Sequence, residues 1–155
     1  MKEFTTISSA EITHENVIEK SRFIASAIHV DTVEQAVEFV EQKRKRYYDA
    51  THNCYAYIVG DKAKFSDDGE PQGTAGMPMY DCIKANNLDC VCVVVTRYFG
   101  GVKLGAGGLV RAYSGAVADV LKVANKVQMR LCKTADVTID YSLLKTVRRA
   151  MQGVA

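Results

Sequence analysis

The stretch Cys90-Val91-Cys92-Val93-Val94-Val95-Thr96-Arg97 contains the most apolar run of the sequence, and the rest of the fold can be assigned outward from it. Such a run predicts a strand at residues 89–97 that is covered on both faces. A glycine-rich loop at 100–108 follows the strand. Beyond it, apolar residues at helical spacing predict a helix over about 108–126, with Leu109, Ala112, Tyr113, Ala116, Val117, Val120 and Leu121 on one side.

The remaining chain combines strand patterns with helix patterns. Residues 3–13, 16–30 and 52–60 have the composition of strands, and an apolar stripe at 33–47 predicts a helix. Residues 63–73 are expected to form a polar loop, and a short helix is expected to begin near Pro78 and end near Asn86. Further on, a strand at 130–141 and a helix at 142–153 are predicted. The chain is therefore expected to be a mixed α/β protein.

Length and composition indicate a soluble globular protein. The 155 residues suffice for one domain with a sizeable core, and they are 48% hydrophobic and 25% charged. No apolar run approaches the roughly 18 residues of a membrane span, and the N-terminus lacks the apolar segment of a signal peptide. The five cysteines include no Cys-x-x-Cys pair, which fits a reducing compartment. We expect a cytoplasmic protein with no membrane partner.

The net charge of +2 is unevenly distributed along the chain. Residues 1–96 carry 10 basic and 15 acidic side chains, whereas residues 97–155 carry 10 basic and 3 acidic ones. This asymmetry indicates an anionic partner on one side of the molecule. The alternative is that two solvated surfaces simply differ in charge.

Three carboxylates lie close together in the segment Ser66-Asp67-Asp68-Gly69-Glu70. Asp67, Asp68 and Glu70 are oxygen ligands that could hold a hard cation such as magnesium. The same residue types are also what an exposed turn requires, and the ligand spacing of a calcium-binding loop is absent. We expect a turn, and we assign neither a metal nor a cofactor.

The glycine-rich loop has features of an anion-binding site. It provides Gly100, Gly101, Gly105, Gly107 and Gly108, accompanied by the cations Arg97, Lys103 and Arg111. Glycine lets the backbone approach a ligand closely, the start of a helix attracts anions, and arginine can grip a phosphate through two bonds. The spacing matches neither a Walker loop nor the dinucleotide fingerprint. Binding of an anion or a nucleic-acid backbone is one interpretation, and a purely structural loop is the other.

His52 and Cys54 are two residues apart on a predicted strand, so their side chains are expected on the same face. A cysteine beside a histidine can act as a thiol nucleophile. However, no third residue that would orient the histidine is evident, and the sequence has no Gly-x-Ser-x-Gly motif. We expect a buried cysteine and a hydrogen-bonded histidine, and we predict no catalytic residue.

Five segments carry a resemblance to a known family. They are Lys20-Ser21-Arg22-Phe23, His52-Asn53-Cys54-Tyr55-Ala56, Ser66-Asp67-Asp68-Gly69-Glu70-Pro71 with Gly73-Thr74-Ala75-Gly76, Arg97-Tyr98-Phe99-Gly100-Gly101-Val102-Lys103-Leu104-Gly105, and Gly107-Gly108-Leu109-Val110-Arg111-Ala112-Tyr113. In this order they resemble the IMPACT/YigZ family, over about residues 1–125. The string Arg-aromatic-aromatic-Gly-Gly-x-x-Leu-Gly is specific.

The resemblance implies an α/β (α+β) two-layer sandwich like domain two of ribosomal protein S-five, with a four-stranded sheet and helices on one side. It also implies an IMPACT N-terminal domain at residues 1–127. Residues 128–155 are then the first strand and helix of an incomplete ferredoxin-like C-terminal domain. Eukaryotic members of the family regulate translation by competing for the activator protein of the amino-acid-starvation kinase. They use an additional N-terminal domain for this, so we do not expect the kinase-related role to transfer simply to this sequence.

Two functions from different classes follow. The first is a non-enzymatic regulator of translation or of the stress response, which binds RNA, the ribosome or a translation-regulatory protein. Its contact surface comprises the 100–108 loop with Arg97, Lys103 and Arg111, and residues 66–70 and His52 lie beside it. The second is a phosphate-binding enzyme that uses the same loop, with Asp67, Asp68 and Glu70 on magnesium. A protein–protein adaptor without nucleic-acid contact is a third interpretation.

Overall fold

The computed structural model describes residues 3–153 and has a five-stranded antiparallel sheet at its centre. The elements are β1 (Phe4–Ile7), β2 (Ile12–Ile18), β3 (Ser21–His29), α1 (Val33–Arg46), β4 (His52–Val59), β5 (Lys62–Ser66), α2 (Gly76–Ala85), β6 (Val91–Tyr98), α3 (Gly105–Val123), β7 (Lys126–Met129), a 3-10 turn (Tyr141–Leu143) and α4 (Leu144–Ala150). The sheet order is β2-β3-β6-β4-β5, and β1 pairs with β7 in a separate two-stranded sheet.

Strand β6 is the central strand, as its apolar sequence predicts, and both of its faces are covered. Val91, Val93 and Val95 pack with α2 and α3 in one core cluster. Cys92 and Val94 point to the opposite face and pack with α1 in a second cluster. Because side chains alternate along a strand, an unbroken apolar run supplies a core on each side of the sheet.

The mixed α/β class is confirmed, but the detailed layering differs from the expectation. The sheet has five strands rather than four, and the helices do not all lie on one side. Helix α1 covers the face opposite α2 and α3 because Tyr55 and Tyr57 of β4, together with Cys92 and Val94 of β6, give that face an apolar surface of its own. The apolar run of β6 predicts this arrangement correctly, whereas the family resemblance does not.

Helix α1 forms where the sequence predicts it. Thr32 caps its N-terminus, where the hydroxyl oxygen accepts a hydrogen bond from the Gln35 N–H. Ala36, Phe39 and Val40 are buried against the sheet. The last turn contains Lys43, Arg44, Lys45 and Arg46, which complement the negative end of the helix dipole.

Four of the predicted strand and loop bounds were wrong. The strand predicted at 16–30 contains the turn at residues 19–20, so its first part belongs to β2 and the rest to β3. The strand predicted at 3–13 is divided, because β1 pairs with β7 while β2 pairs with β3, and the chain changes sheet between them. The loop predicted at 63–73 begins with strand β5, whose Lys62, Lys64 and Phe65 are exposed at the edge of the sheet. The strand predicted at 130–141 is absent from the described residues, since the chain there pairs only at Lys126–Met129.

Helices α2 and α3 begin two and three residues earlier than expected, at Gly76 and Gly105, and the helix predicted at 142–153 is the 3-10 turn followed by α4. Every side chain of residues 130–153 is exposed or half-buried. The domain boundary at residue 127 stays a prediction, although it falls inside β7. Within residues 3–153, no helix has the length and apolar character required to cross a membrane.

Candidate functional site

Four parts of the fold meet at one end of the sheet. They are the start of β4, the C-terminal end of β6, the loop at 67–75 and the start of α3. A buried ion pair joins two of them, with Arg97 Nη1 of β6 at 2.7 Å from Glu70 Oε1 of the loop. The Arg97 side chain is 6% exposed and that of Glu70 is 3% exposed. The other guanidinium nitrogens of Arg97 donate to the Ser21 hydroxyl at 3.3–3.4 Å. The guanidinium also lies 5.6 Å from the Phe23 ring centre and 5.5 Å from that of Phe99.

Glu70 connects this pair to α3. The Tyr113 hydroxyl donates to Glu70 Oε1 at 2.7 Å, and burial raises the pKa of that hydroxyl far above its usual range. His52 Nε2 lies 3.6 Å from the same oxygen. One carboxylate oxygen therefore joins β6 and α3, and holds the loop against the sheet, with the His52 ring of β4 beside it.

His52 and Cys54 lie on the same face of β4, as predicted, and both hold the acidic loop. His52 Nδ1 donates to the Asp68 carbonyl oxygen at 2.8 Å, and the Cys54 thiol donates to the Asp67 carbonyl oxygen at 3.0 Å. Burial raises the pKa of the Cys54 thiol well above its usual range. Both side chains are thus bonded to the loop backbone, and a buried thiol whose pKa is raised is a poor nucleophile.

Asp67 organises the loop and the start of α2. Its carboxylate accepts hydrogen bonds from the N–H groups of Gly73, Ala75 and Gly76 at 2.8–3.1 Å. Burial acts to raise the pKa of Asp67, but these three bonds outweigh it, and the pKa is lowered. Because Ala75 offers no side-chain cap at the helix start, Asp67 caps α2 from eight or nine residues away.

The three carboxylates of the loop do not converge on one point. Asp67 serves the start of α2, Asp68 Oδ2 accepts from the Asn53 N–H at 2.7 Å, and Glu70 is held by Arg97 and Tyr113. Among residues 3–153, no group of three or more His, Cys, Asp or Glu side chains is placed to hold a metal ion. The geometry is that of a tightly bonded turn, in which Ser66 also accepts from the Asp68 N–H.

The glycines of the 100–108 loop have different roles. A Cβ atom at Gly100 would lie 1.9 Å from the Lys20 carbonyl oxygen, so the loop packs directly against the β2–β3 turn. Gly101 and Gly105 have φ of +90° and +74°, a conformation that favours glycine. At Gly107 a Cβ would meet only the flexible end of Arg111, and at Gly108 it would lie 3.0 Å from the Leu104 Cβ.

An open cleft of about 410 Å³ lies over the ion pair. It is lined by Thr51, His52, Glu70, Pro71, Arg97, Phe99, Lys103, Leu104, Gly105, Ala106 and Leu109. Leu104 precedes α3 and gives no side-chain cap, so the first N–H groups of that 19-residue helix have no acceptor among residues 3–153, and Gly105 and Ala106 line the cleft. Most of the remaining lining is apolar, and Phe99 is 47% exposed at its rim.

Arg97, Lys103 and Arg111 were predicted to form one surface, but they differ in burial. Arg97 is buried and committed to Glu70 and Ser21, so it is not part of an exposed basic surface. Lys103 and Arg111 are exposed. They line a second hollow of about 380 Å³ together with Ile18, Glu19, Leu104, Gly108 and Ala112, and Lys103 borders both hollows.

The structure therefore brings Arg97, Glu70, His52 and Lys103 to one cleft, while Asp67, Asp68, Ser66 and Gly69 support it from behind. Sequence reasoning missed Tyr113, Phe99 and Thr51 as parts of this site. Tyr113 was assigned only to the apolar stripe of α3, yet a buried tyrosine needs a partner for its hydroxyl. That requirement is the signal that could have identified it.

Comparison with known proteins gives a consistent family. The model of the Impact N-terminal domain matches residues 19–121. The IMPACT family member YvyE of Bacillus subtilis is 44% identical over 152 residues, which are 96% of this chain and 69% of that protein. The IMPACT family member YigZ of Escherichia coli is 45% identical over 121 residues, which are 75% of this chain and 59% of that protein.

Two solved structures are also similar. A crystal structure of a hypothetical protein has a TM-score of 0.79 and 35% identity, and the match covers 98% of this chain and 76% of that one. A two-domain translational regulator, Yih1, has a TM-score of 0.45 and 28% identity, with coverage of 76% and 46%. The first of these supports the mixed α/β fold described above.

Proposed function

The chain belongs to the IMPACT family, and from this premise we propose that it is a regulator of translation that acts by binding RNA phosphates at the cleft in front of α3. The family resemblance supports the broad role in translation. Two more specific statements are also proposals: that the chain contacts RNA, as a free strand or in the ribosome, and that it is located in the cytoplasm. The chain is proposed to bind and not to catalyse.

One observation carries this proposal: the uncapped start of α3 opens into a cleft bordered by Lys103, and Arg111 lies nearly two turns along the helix in the second hollow, which Lys103 also lines. Free N–H groups at a helix start and exposed cations both attract phosphate oxygens. The buried pair of Arg97 and Glu70 forms the floor of the cleft and holds its walls in place. Such contacts bind the backbone of a nucleic acid without reading its sequence.

A phosphate-transferring enzyme receives less support from the same residues. Magnesium chemistry at this loop would require Asp67, Asp68 and Glu70 to face one point, and each is bonded to a different part of the fold. Thermal unfolding with and without ATP and magnesium separates the two functions. A rise in Tm with ATP and magnesium would favour the enzyme, because a ligand that binds only the folded state stabilises it.

The direct test is the binding of a fluorescein-labelled RNA hairpin, measured by anisotropy at about 50 and 200 mM salt. We expect binding at low salt that weakens steeply with salt, because phosphate contacts release counterions. The double variant K103A/R111A is expected to bind about 10-fold more weakly. Its log–log salt slope should be shallower by about 2, because each of the two removed cations neutralises about one phosphate.

The matched control is K122A/K126A, which removes two exposed cations from the other end of α3 and from β7. Arg111 and Lys122 are about 16 Å apart along the helix axis, beyond the Debye length of about 8 Å at physiological salt. The control should therefore bind like the parent protein. Absence of RNA binding at low salt, or equal weakening of both variants, would overturn the proposal.

A further inference from the structure

A second surface, with exposed cations and tyrosine rings, lies at the same end of the sheet as the cleft, on the opposite face. We define the α1-end patch as Arg22, Lys45, Arg46, Tyr47, Tyr48 and Tyr98. Tyr98 follows Arg97 directly and points to the other side of the sheet, where it is the cross-strand partner of Arg22. The segment after α1 is tied to this strand end, since the Thr51 N–H donates to the Arg97 carbonyl and the Phe99 N–H donates to Thr51 Oγ1.

Arginine planes lie over tyrosine rings in this patch. The Arg22 guanidinium lies 5.3 Å from the Tyr98 ring centre, and that of Arg46 lies 5.4 Å from the Tyr47 ring centre. Tyr48 projects into solvent with 84% of its surface exposed. Planar cations and open aromatic rings together form the surface on which unpaired bases stack.

The charges of the patch leave two cations free for a ligand. Glu15 pairs with Arg22 at 2.6 Å, and Asp49 accepts a hydrogen bond from the Tyr98 hydroxyl at 2.8 Å. In the preceding turn, Lys43 pairs with Glu11, and Arg44 pairs with Glu41 and Asp68. Lys45 and Arg46, in contrast, have no carboxylate within 4.0 Å in the described part of the chain.

We propose that the α1-end patch binds single-stranded RNA, with Tyr48 stacking on a base and Lys45 and Arg46 contacting the flanking phosphates. This inference rests on the proposed function in one respect: the strand would continue past Phe99 into the cleft in front of α3. The two surfaces share the end of β6, so a strand that leaves one can enter the other. The patch contributes the contact to a base and to the phosphates that flank it, and the cleft contributes contacts to phosphates further along the strand.

The test compares a labelled oligouridine of about 10 nucleotides with a labelled blunt-ended RNA duplex, using the full chain. Y48A is expected to bind the oligouridine about 10-fold more weakly, which is the effect of losing one stacked base. Binding of the duplex should change less than 2-fold, because it has no unpaired bases that could stack on the ring. Y48F should retain affinity for the oligouridine, since it keeps the ring.

Three further variants separate the geometry of the phosphate contact from its charge, and both from general surface effects. R46K keeps the charge but loses the planar fork that can grip a phosphate through two bonds, so it should retain the salt slope and lose affinity for the oligouridine, whereas R46A should also make the slope shallower by about 1. Y141A is the matched control, because Tyr141 is 89% exposed in the 3-10 turn, outside the patch. It should bind both RNAs like the parent protein.

The variants distinguish failure of the patch from failure of the cleft. If K103A/R111A weakens binding and Y48A does not, the inference about the patch is overturned while the cleft proposal stands. If Y48A weakens oligouridine binding and K103A/R111A does not, the patch is supported and the cleft proposal fails. If neither RNA binds, the inference is overturned. If Y48A abolishes only an RNase-resistant association with ribosomes, the patch is a protein-binding surface and the inference is likewise overturned.

Discussion

A buried arginine requires a buried partner of opposite charge, and Arg97 has Glu70. The pair lies under the cleft, where the Arg97 and Glu70 side chains are only 6% and 3% exposed. Removing one member leaves the other charged and largely without solvent, which costs about 3–5 kcal/mol for fully buried pairs. The carboxylate also accepts from Tyr113, so its loss would affect three elements at once.

The substitution Glu70→Gln is therefore expected to lower the free energy of unfolding by about 3 kcal/mol, measured by urea denaturation at pH 7. Glutamine preserves the volume and an acceptor oxygen but leaves the Arg97 charge uncompensated. The double variant E70Q/R97M should recover part of the loss, because it removes both charges. If the free energy of unfolding of E70Q lies within about 0.5 kcal/mol of that of the parent protein, the pair does not hold the loop.

At the same scale, Asp67 predicts a dependence of stability on acid pH. Its folded-state pKa lies below its unfolded value, because three backbone N–H bonds outweigh the opposing effect of burial. The charged carboxylate therefore stabilises the fold above the unfolded pKa of about 4, and this contribution is lost as the pH falls through the folded pKa. D67N should lose about 1 kcal/mol at pH 7, as expected for a removed helix cap.

Urea denaturation between about pH 5 and pH 2 provides the measurement. The parent protein should lose stability more steeply than D67N as the pH falls below about 4, because only the parent has this carboxylate to protonate. Asp81→Asn is the control, since Asp81 is an exposed acid on α2 and should keep the acid dependence of the parent. Parallel pH curves for D67N and D81N would contradict the role assigned to Asp67.

At the scale of elements, apolar periodicity in the sequence is sufficient to predict a strand or helix that packs on the core. Strand β6 and helices α1 and α3 were predicted for that reason. Strand β5 was missed because Lys62, Lys64 and Phe65 are exposed at the sheet edge, and such a strand has no apolar alternation to detect. The position of Arg97 could be inferred, since it continues the alternation of Val91, Val93 and Val95 into the core, but its pairing with Glu70 depends on tertiary contacts.

Glycines in α3 and in the loop before it predict opposite effects on substitution. Gly115 lies within α3 and a Cβ there meets no atom within 4 Å, so G115A should stabilise the protein by about 0.5–1 kcal/mol. G100A places a Cβ 1.9 Å from the Lys20 carbonyl oxygen, so it should destabilise by about 2 kcal/mol or more as the β2–β3 turn moves. Urea denaturation of both variants is the measurement, and a neutral G100A would contradict the close packing.

At the scale of the whole molecule, the charge asymmetry of the sequence does not form a single basic face. Arg97 is neutralised by Glu70, which comes from the acidic part of the chain. Lys103 borders the cleft, Arg111 lines the second hollow beside it, and Lys122 lies in the last turn of α3. The net charge of +3 from Arg130 onward lies on residues that bury no side chain. Only part of the positive charge is therefore available to the proposed RNA contact.

The packed body of the molecule is expected to be independent of residues 130–153. No side chain there is buried, and α4 has seven residues, too few for a helix that is stable alone in water. A chain that ends at Met129 should therefore unfold at the same urea concentration as the full chain. A chain that ends at Asn125 should be less stable, because it removes β7, the partner of β1.

Hydrogen exchange provides a second measurement on the full chain. Amides of α4 should exchange rapidly, while those of β6, at the centre of the sheet, remain protected. Strong protection of α4, or a large loss of stability on ending the chain at Met129, would show that residues 130–153 contribute to the core.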